Sequence, residues 1–223
     1  MAHRLRHFAL FLLAGLSVMT AEEALAHPHV WVTVKSEMVY GPDGSLTGVR
    51  HAWTFDDMFS AFATQGLESK KKGEFTREEL KPLAEVNVTS LKEFDFFTTA
   101  KADGKKAAFQ QPVDYYLEYK DNVLTLNFTL PLEKPVDTHG KPVQVDVYDP
   151  SFFVAFSFAT EKPVTLAGAD TKGCAAEIIL PDPNTTADYK ALTESFFSQL
   201  GPNSNFGSQF AQTATIKCKD SHL

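Results

Sequence analysis

The sequence is short of cysteine, of basic runs and of long apolar runs, and each shortage argues against a class of protein. Cys174 and Cys218 are the only cysteines among 223 residues, which is too few for a cysteine-rich zinc module. The amino-terminal apolar run, from Phe8 to about Met19, has about a dozen residues, whereas a membrane-spanning helix needs about 20. The one basic cluster, "ESKKKGE" at 68–74, is short and flanked by glutamates. A net charge of −7 further argues against nucleic acid or an anionic membrane as a partner.

Motifs of the common catalytic classes are also missing. The chain has no Ser-His-Asp signature, no glycine-rich phosphate loop and no HExxH sequence. Asp56 and Asp57 are adjacent, so their side chains would diverge or cap a helix instead of acting as a carboxylate pair. We therefore expect a protein that is not an enzyme.

The first 26 residues have the organisation of a cleaved signal peptide. Arg4 and Arg6 form a basic start, the apolar run follows, and Ala24-Leu25-Ala26 fits the small-x-small cleavage rule. No cysteine lies near this point, which argues against a lipid anchor. We expect export to the periplasm of a Gram-negative bacterium and a mature chain, 27–223, that forms a single domain.

The two cysteines of an exported chain predict one disulfide. It would close a loop of about 45 residues and stabilise the fold by about 4 kcal/mol in the chain-entropy account. A pair of thiolate metal ligands is the alternative, but the spacing matches no zinc motif.

Alternating apolar and polar residues predict a mainly β (α+β) protein with an antiparallel, sandwich-like core. "HVWVTVKSEMVY" and "LTGVRHAWTF" flank the turn "GPDGS" and predict a hairpin. Further turns are predicted at Asp103-Gly104 and Asp121-Asn122, and a bend at Asp149-Pro150. A helical insertion is predicted at about 56–93, with a capping box formed by Thr76 and Glu79, and one more helix at about 186–200.

His27 and His29 are the most conspicuous chemical feature of the chain. At positions i and i+2 of a strand they project from one face, and neutral imidazole is a common ligand for zinc, copper and nickel. If His27 becomes the amino terminus, its α-amine, with a pKa of about 8, could chelate a metal together with the ring, as in a histidine brace. Pro28 lacks the amide hydrogen that a copper site with histidine at the third position needs. Two surface histidines without a metal are the plain alternative.

A metal site usually has three or four protein ligands, and the hairpin suggests where the others come from. If Tyr40 pairs with Ser45, His29 faces Asp56 and the apolar residues of both strands stay together. His51 then points to the apolar face, where it would be a core residue. A bulge would reverse the parity and bring His51 to the face of His29, and both possibilities stay open.

Two further residues have competing interpretations. Asp57 either ligates or caps a helix, and capping is the default. Asp149, in "VYDPSFF", is either a turn residue before proline or a carboxylate at the rim of the site. His139 and His222 lie in a turn and near the chain end, and we expect neither to take part.

Several stretches of the chain resemble a known family. They are "HPHVWV", "GVRHAWTFDDMFSAF", "LKEFDFFT", "FTLPL" and "VYDPSFFVAF", followed by Cys174. The chain resembles a family of exported bacterial proteins of unknown function, often labelled "ABC-type uncharacterised transport system, periplasmic component". The resemblance implies an association with nickel/cobalt-type permeases and hence metal handling. The motif positions it singles out are His27, His29, His51, Asp56 and Asp149.

We therefore expect a periplasmic binding protein for a divalent transition metal (zinc, nickel or copper) that serves a membrane metal permease as an accessory or delivery component. His27 and His29 would be ligands, with His51, Asp56 or Asp149 completing the site. One alternative is a protein-interaction module that docks on a permease or another envelope partner without metal. A second alternative is a copper redox enzyme built on the amino-terminal brace.

Overall fold

The computed structural model describes residues 27–138, 140–168, 171, 173–186, 192–200 and 204–218. The predicted signal peptide, 1–26, and the two histidines expected to be bystanders, His139 and His222, lie outside these residues. Among the described residues, no helix combines the length and the apolar character needed to cross a lipid bilayer.

The strands of the described chain form two sheets. They are β1 (Val30–Tyr40), β2 (Leu46–Phe55), β3 (Thr98–Ala102), β4 (Lys105–Ala107), β5 (Val113–Lys120), β6 (Val123–Val136), β7 (Val143–Val147), β8 (Val154–Phe158), β9 (Val164–Gly168), β10 (Cys174–Ile179) and β11 (Gln212–Cys218). The first sheet has the order β5-β6-β2-β1-β8, with β9 also paired to β1, and the second has the order β10-β11-β7-β3-β4. The mainly β, sandwich-like fold is confirmed. The core is antiparallel except where β8 and β9 run parallel to β1.

The helical insertion is confirmed as two α-helices and a 3₁₀ segment, and the capping box is present between the Thr76 and Glu79 side chains and backbone. The predicted helix near 186–200 is present as a short helix, while 187–191 lie outside the described residues. The elements are α1 (Asp57–Ala63), α2 (Arg77–Leu91), the 3₁₀ segment Lys92–Phe97, α3 (Pro183–Thr186), α4 (Glu194–Ser198) and the 3₁₀ segment Phe206–Phe210.

One face of the first sheet is buried along the whole length of β1. Burial alternates strictly there: Val30, Val32 and Val34 are buried, as predicted, and the residues between them are exposed. This is the period of two that a strand with one solvated face imposes.

Two different layers cover that buried face. At the start of β1, the apolar stripe of α2, represented by Leu80 and Val88, forms one core cluster with Val32. At the end of β1, Met38 belongs to a second cluster with residues of the second sheet such as Val145. The molecule is therefore a two-sheet sandwich in which a helix replaces the second sheet over half of the first.

The predicted register of the first hairpin is wrong by two residues. Tyr40 pairs with Leu46 instead of Ser45, and a further shift of one residue occurs between Val39 and Tyr40. Because two displacements add, the parity is unchanged and apolar residues still share a face. The consequence for the site is direct, since Asp56 meets Trp31 where His29 had been expected.

The disulfide joins Cys174 and Cys218. The two residues lie opposite each other on the antiparallel strands β10 and β11. The bridge therefore ties the outermost strand of the second sheet to its neighbour.

Candidate metal centre

The residues before β1 are held against the turn that leads into β8. The backbone N–H of His29 donates to the carbonyl of Phe153 at 2.9 Å, and the parallel ladder continues with Val30 opposite Val154. Parallel pairing places the starts of both strands at one edge of the sheet, so His27 and His29 stand at this edge.

Glu194, the first residue of α4, meets the two histidines there. One potential ligand atom from each of His27, His29 and Glu194 lies within 4.8 Å of the other two. Nδ1 of His27 lies 3.3 Å from Oε2 of Glu194. Thr193 caps α4 by accepting a hydrogen bond from the N–H of Phe196. This cap fixes the start of the helix and hence the position of Glu194, its first residue.

Aromatic packing fixes the orientation of the histidine rings. The ring of His27 stacks on Phe197 of α4 with a centroid distance of 4.1 Å and an interplanar angle of 2°. Phe153 packs on the ring of His29 at 4.6 Å, and the two imidazoles meet edge to face at 4.7 Å. Because Phe197 is buried, it anchors α4 and thereby holds Glu194 beside His27.

The environment of His27 favours the neutral ring. Its side chain is 10% exposed, and burial lowers the pKa of the imidazole, while the Glu194 carboxylate opposes that shift. Among the described residues, the buried Nδ1 has no hydrogen-bond partner, although the Glu194 carboxylate is at ion-pair distance. A neutral, otherwise unpaired imidazole nitrogen beside a carboxylate is the form in which histidine ligates a metal.

Asp149 supports this site instead of joining the cluster. Its Oδ1 accepts hydrogen bonds from the N–H and hydroxyl of Ser151, both at 2.8 Å, and its Oδ2 accepts from the N–H of Val154 at 2.9 Å. Both carboxylate oxygens are thus used to shape the turn that carries Phe153. Gly207 packs directly against this turn. A Cβ added to Gly207 would lie 1.8 Å from the carbonyl oxygen of Asp149, so position 207 requires glycine.

Asp56 serves as the N-cap of α1, and its side chain is not among the three whose ligand atoms converge. Its Oδ1 accepts from the N–H of Phe59 and its Oδ2 from the N–H of Trp31, each at 2.8 Å. Asp57 follows as the first residue of the helix, and its Oδ1 accepts from the N–H of Met58. Capping therefore occupies the carboxylate that the sequence had offered as a ligand.

The structure does not bring His51 to the site. It lies opposite Ser36 on β1, seven residues beyond His29, a distance of about 23 Å along a strand. Its Nδ1 is 2.9 Å from the Ser36 hydroxyl and its Nε2 is 3.3 Å from the Thr98 hydroxyl. Burial lowers the pKa of His51 to about 3, so the ring is a neutral core residue. The hairpin contains a bulge, but together with the shifted turn it displaces the register by two residues, so His51 stays on the buried face.

Sequence reasoning missed Glu194. Its position next to an N-cap threonine and two phenylalanines predicts the start of a helix, which is a local signal. Nothing local indicates that this helix packs against a segment more than 160 residues away in the chain.

The chain belongs to a family described as "Protein of unknown function (DUF1007)", whose model matches residues 11–218. An uncharacterised protein of Haemophilus influenzae is 26% identical over 210 residues, which cover 93% of this chain and 98% of that protein. An uncharacterised 15.5 kDa protein encoded in the trpE 3′ region of Spirochaeta aurantia is 30% identical over 98 residues, which cover 44% of this chain and 69% of that protein. Neither the family description nor these names state an activity.

Proposed function

We propose that this protein binds a divalent transition metal, with zinc the best match, through His27, His29 and Glu194. We further propose that it holds the ion in the periplasm as an accessory or delivery component of a membrane metal transporter. The observation that carries the proposal is the convergence of two imidazoles and a carboxylate from distant parts of the chain.

The spacing of the donor atoms supports a tetrahedral ion. Ligand atoms that lie 2.0–2.1 Å from a tetrahedral zinc are separated from one another by about 3.3 Å. Nδ1 of His27 and Oε2 of Glu194 are 3.3 Å apart, as two such ligands would be. One ligand atom from each of the three residues lies within 4.8 Å of the other two, so side-chain adjustments of about 1.5 Å or less would bring them to three corners.

The chemical identity of the donors narrows the choice of metal. Two nitrogens and one carboxylate oxygen form a donor set common in zinc sites with an open fourth position. Nickel and copper also bind imidazole well, whereas calcium and magnesium prefer oxygen ligands alone. The donor set therefore favours zinc, nickel or copper over the alkaline-earth ions.

The placement of the site favours exchange of the ion over permanent storage. His29 and Glu194 are exposed, and three protein ligands leave room for a fourth ligand from a partner. The net charge of −7 attracts cations to the surface. A transfer role fits the association with metal permeases that the sequence resemblance implies.

Calorimetric titration with zinc tests the metal site. The protein is produced as residues 27–223 with His27 at the amino terminus. We expect Glu194→Gln to weaken binding at least tenfold (about 1.4 kcal/mol), because it removes the charged ligand and keeps its size. Glu85→Gln, at an exposed position of α2, is the matched control and should bind as the unaltered protein does. The proposal is wrong if Glu194→Gln and the double variant His27→Gln/His29→Gln both retain full affinity.

The same protein distinguishes a brace from a side-chain site. One residue added before His27 removes its α-amine from the metal while leaving the three side chains in place. Unchanged zinc affinity after this addition supports the three-residue site. Loss of copper-dependent turnover after the addition would instead support the redox alternative.

An interaction module remains the second candidate, and exposed apolar side chains favour it. On α1, Met58 is 70% and Phe62 is 73% exposed, and Trp31, which meets the start of that helix, is also exposed. Such residues are common in docking surfaces. Capture of the permease that persists with chelator and after loss of both histidines, but fails with Met58→Ser/Phe62→Ser, would favour this candidate over metal delivery.

A further inference from the structure

The outermost strand of the second sheet, β10, has a paired neighbour on one side only among the described residues. A strand at the edge of a sheet presents backbone N–H and C=O groups that can pair with a further strand. Ala175, Ala176, Glu177 and Ile179 are exposed, and Leu180, which follows the strand, is 67% exposed. This edge is therefore accessible over most of the length of β10.

The pairing of Cys174 with Cys218 shows which backbone groups of β10 point away from β11. The two residues lie opposite each other with a Cα–Cα distance of 3.9 Å. The N–H of Cys174 donates to the carbonyl of Thr171 instead of to β11. The pair is thus of the closely spaced, non-hydrogen-bonded kind, which alternates with hydrogen-bonded pairs along an antiparallel ladder. It follows that Ala176 and Ile178 direct their N–H and C=O groups towards the free edge.

β10 lacks the features with which edge strands commonly avoid pairing with another chain. By contrast, the edge strand β4 has three residues, of which Lys105 and Lys106 are charged, and the register of the edge strand β5 shifts around Asp114, whose φ is 52°. β10 is regular over six residues and has neither lysine nor proline. Its one charged residue, Glu177, forms an ion pair with Lys217 of β11. Nothing in the strand itself prevents a further strand from pairing with it.

We infer that β10 pairs antiparallel with β10 of a second copy of this chain, so that two five-stranded sheets become one continuous sheet. An antiparallel pair of identical strands has a two-fold axis, which is the commonest symmetry of protein dimers. The interface is small, so the dimer is a weak one that forms at high protein concentration. This inference does not depend on the metal site.

One register of the pair satisfies the backbone, the charges and the exposed apolar side chains together. With Ile178 on the axis, this residue faces Ile178 of the other copy, and Ala176 faces Leu180. The backbone groups of these residues point outwards, so they pair across the axis, and apolar side chains meet apolar side chains. Glu177 then faces Ile179, whereas a shift by one place would set the two copies of Glu177 against each other, and like charges directly opposite repel. The edge thus complements itself, which favours a second copy over an unrelated peptide.

Amide hydrogen exchange, followed by NMR on residues 27–223, tests the pairing residue by residue. In the monomer, β11 protects the N–H groups of Ala175 and Glu177, whereas those of Ala176 and Ile178 face solvent. Raising the protein concentration from about 50 μM to about 1 mM should slow exchange at Ala176 and Ile178 about threefold for a Kd near 0.1 mM. Exchange at Ala175 and Glu177 should not change.

Two substitutions at one position test the register. Because Ile179 faces Glu177 of the other copy, Ile179→Lys creates an attractive pair and Ile179→Glu a repulsive one, each formed twice about the axis. The dimer Kd from sedimentation equilibrium should be about tenfold lower for Ile179→Lys than for Ile179→Glu. Val86→Lys and Val86→Glu make the same changes in net charge at an exposed position of α2, and these two controls should have nearly equal Kd values.

A proline on the free edge tests the backbone pairing. Ala176→Pro removes an N–H that points away from β11, a position where an edge strand tolerates proline. It should leave urea unfolding cooperative and raise the dimer Kd about tenfold, because both copies lose a hydrogen bond. If this variant does not fold, the two Ile179 variants decide the question.

Three results would overturn the inference. The first is a protein that sediments as a monomer at about 1 mM, the upper end of the range in which a weak dimer is measurable. The second is exchange at Ala176 and Ile178 that is independent of protein concentration, and the third is an equal Kd for the two Ile179 variants. A monomer whose Ala176 and Ile178 amides are protected only after addition of periplasmic extract would assign the edge to a different partner, and would overturn the inference as well.

Discussion

His51 and His27 differ in what their ring nitrogens meet. In the core, the two nitrogens of His51 face the hydroxyls of Ser36 and Thr98, and the ring is 1% exposed. At the sheet edge, Nδ1 of His27 lies 3.3 Å from the Glu194 carboxylate and has no hydrogen-bond partner among the described residues. The first arrangement is complete without a ligand, whereas in the site we propose a cation would complete the second.

The pH dependence of stability should report the buried histidine. The pKa of His51 is about 3 in the fold and about 6.5 in an unfolded chain. Below about pH 6.5 the unfolded chain therefore takes up a proton that the folded chain refuses, so stability is present above that pH and is lost on acidification. We expect this residue alone to lower the free energy of unfolding by about 1.4 kcal/mol per pH unit from about 6.5 to 4.

Urea unfolding of the unaltered protein and of His51→Gln across this pH range measures the effect. The variant will have lower stability at neutral pH because it disturbs a packed site, but its slope against pH should be shallower by the amount given. Parallel slopes for the two proteins would show that His51 is not a neutral core residue.

At the scale of the element, the N-cap of α1 is the clearest case of a carboxylate used for structure. Asp56→Ala should destabilise the protein by about 1 to 2 kcal/mol, because it removes the acceptor for both Phe59 and Trp31. Zinc affinity should not change. Asp57→Ala is the neighbouring control, since among the described residues its carboxylate accepts from the N–H of Met58 alone, and it should have a smaller effect in urea unfolding. A tenfold loss of zinc affinity in Asp56→Ala would return this residue to the metal site.

The bridge between β10 and β11 should contribute to stability without contributing to metal binding. Cys174→Ala/Cys218→Ala should lower the free energy of unfolding by about 4 kcal/mol in the chain-entropy account, measured in urea. The zinc Kd should stay the same, because the disulfide lies at the opposite end of β11 from Gln212, which pairs with Val147 just before Asp149. A weakened zinc Kd in a folded double variant would contradict this separation.

Local sequence signals predicted the strands and turns better than they predicted which strands pair and in what register. The turns at Asp103-Gly104 and Asp121-Asn122 have left-handed φ values at both residues, as the residue types indicated. The register of the first hairpin was missed because the turn widened to reach Leu46 and a bulge added one more residue. The parallel pairing of β1 with β8 was not predicted. Parallel neighbours are set by contacts between residues far apart in the sequence, and no local turn signal marks them.

At the scale of the whole molecule, the site joins the start of the domain to a helix late in the chain. The sequence indicated the histidine pair through spacing and composition. It did not indicate Glu194, because the meeting of α4 with β1 depends on how both pack around Phe153 and Phe197. A metal bound at the proposed site would therefore link distant segments of the chain.

Zinc should therefore stabilise the entire fold. A free zinc concentration about a hundredfold above the Kd adds about 2.7 kcal/mol to the free energy of unfolding, provided that the unfolded chain binds zinc weakly. Urea unfolding with and without zinc measures the gain, and Glu194→Gln, with Glu85→Gln as control, should lose most of it. An equal gain in both variants would place zinc elsewhere.

The location of the ion tests the central claim most directly. Crystals of residues 27–223 grown with zinc, measured on both sides of the zinc absorption edge, give an anomalous difference map that identifies the metal without reference to the fold. We predict one peak about 2.0–2.2 Å from a ring nitrogen of His27, a ring nitrogen of His29 and a carboxylate oxygen of Glu194. A map with no peak there, or with the ion bound by Asp56, Asp149 or His51 instead, would contradict the account.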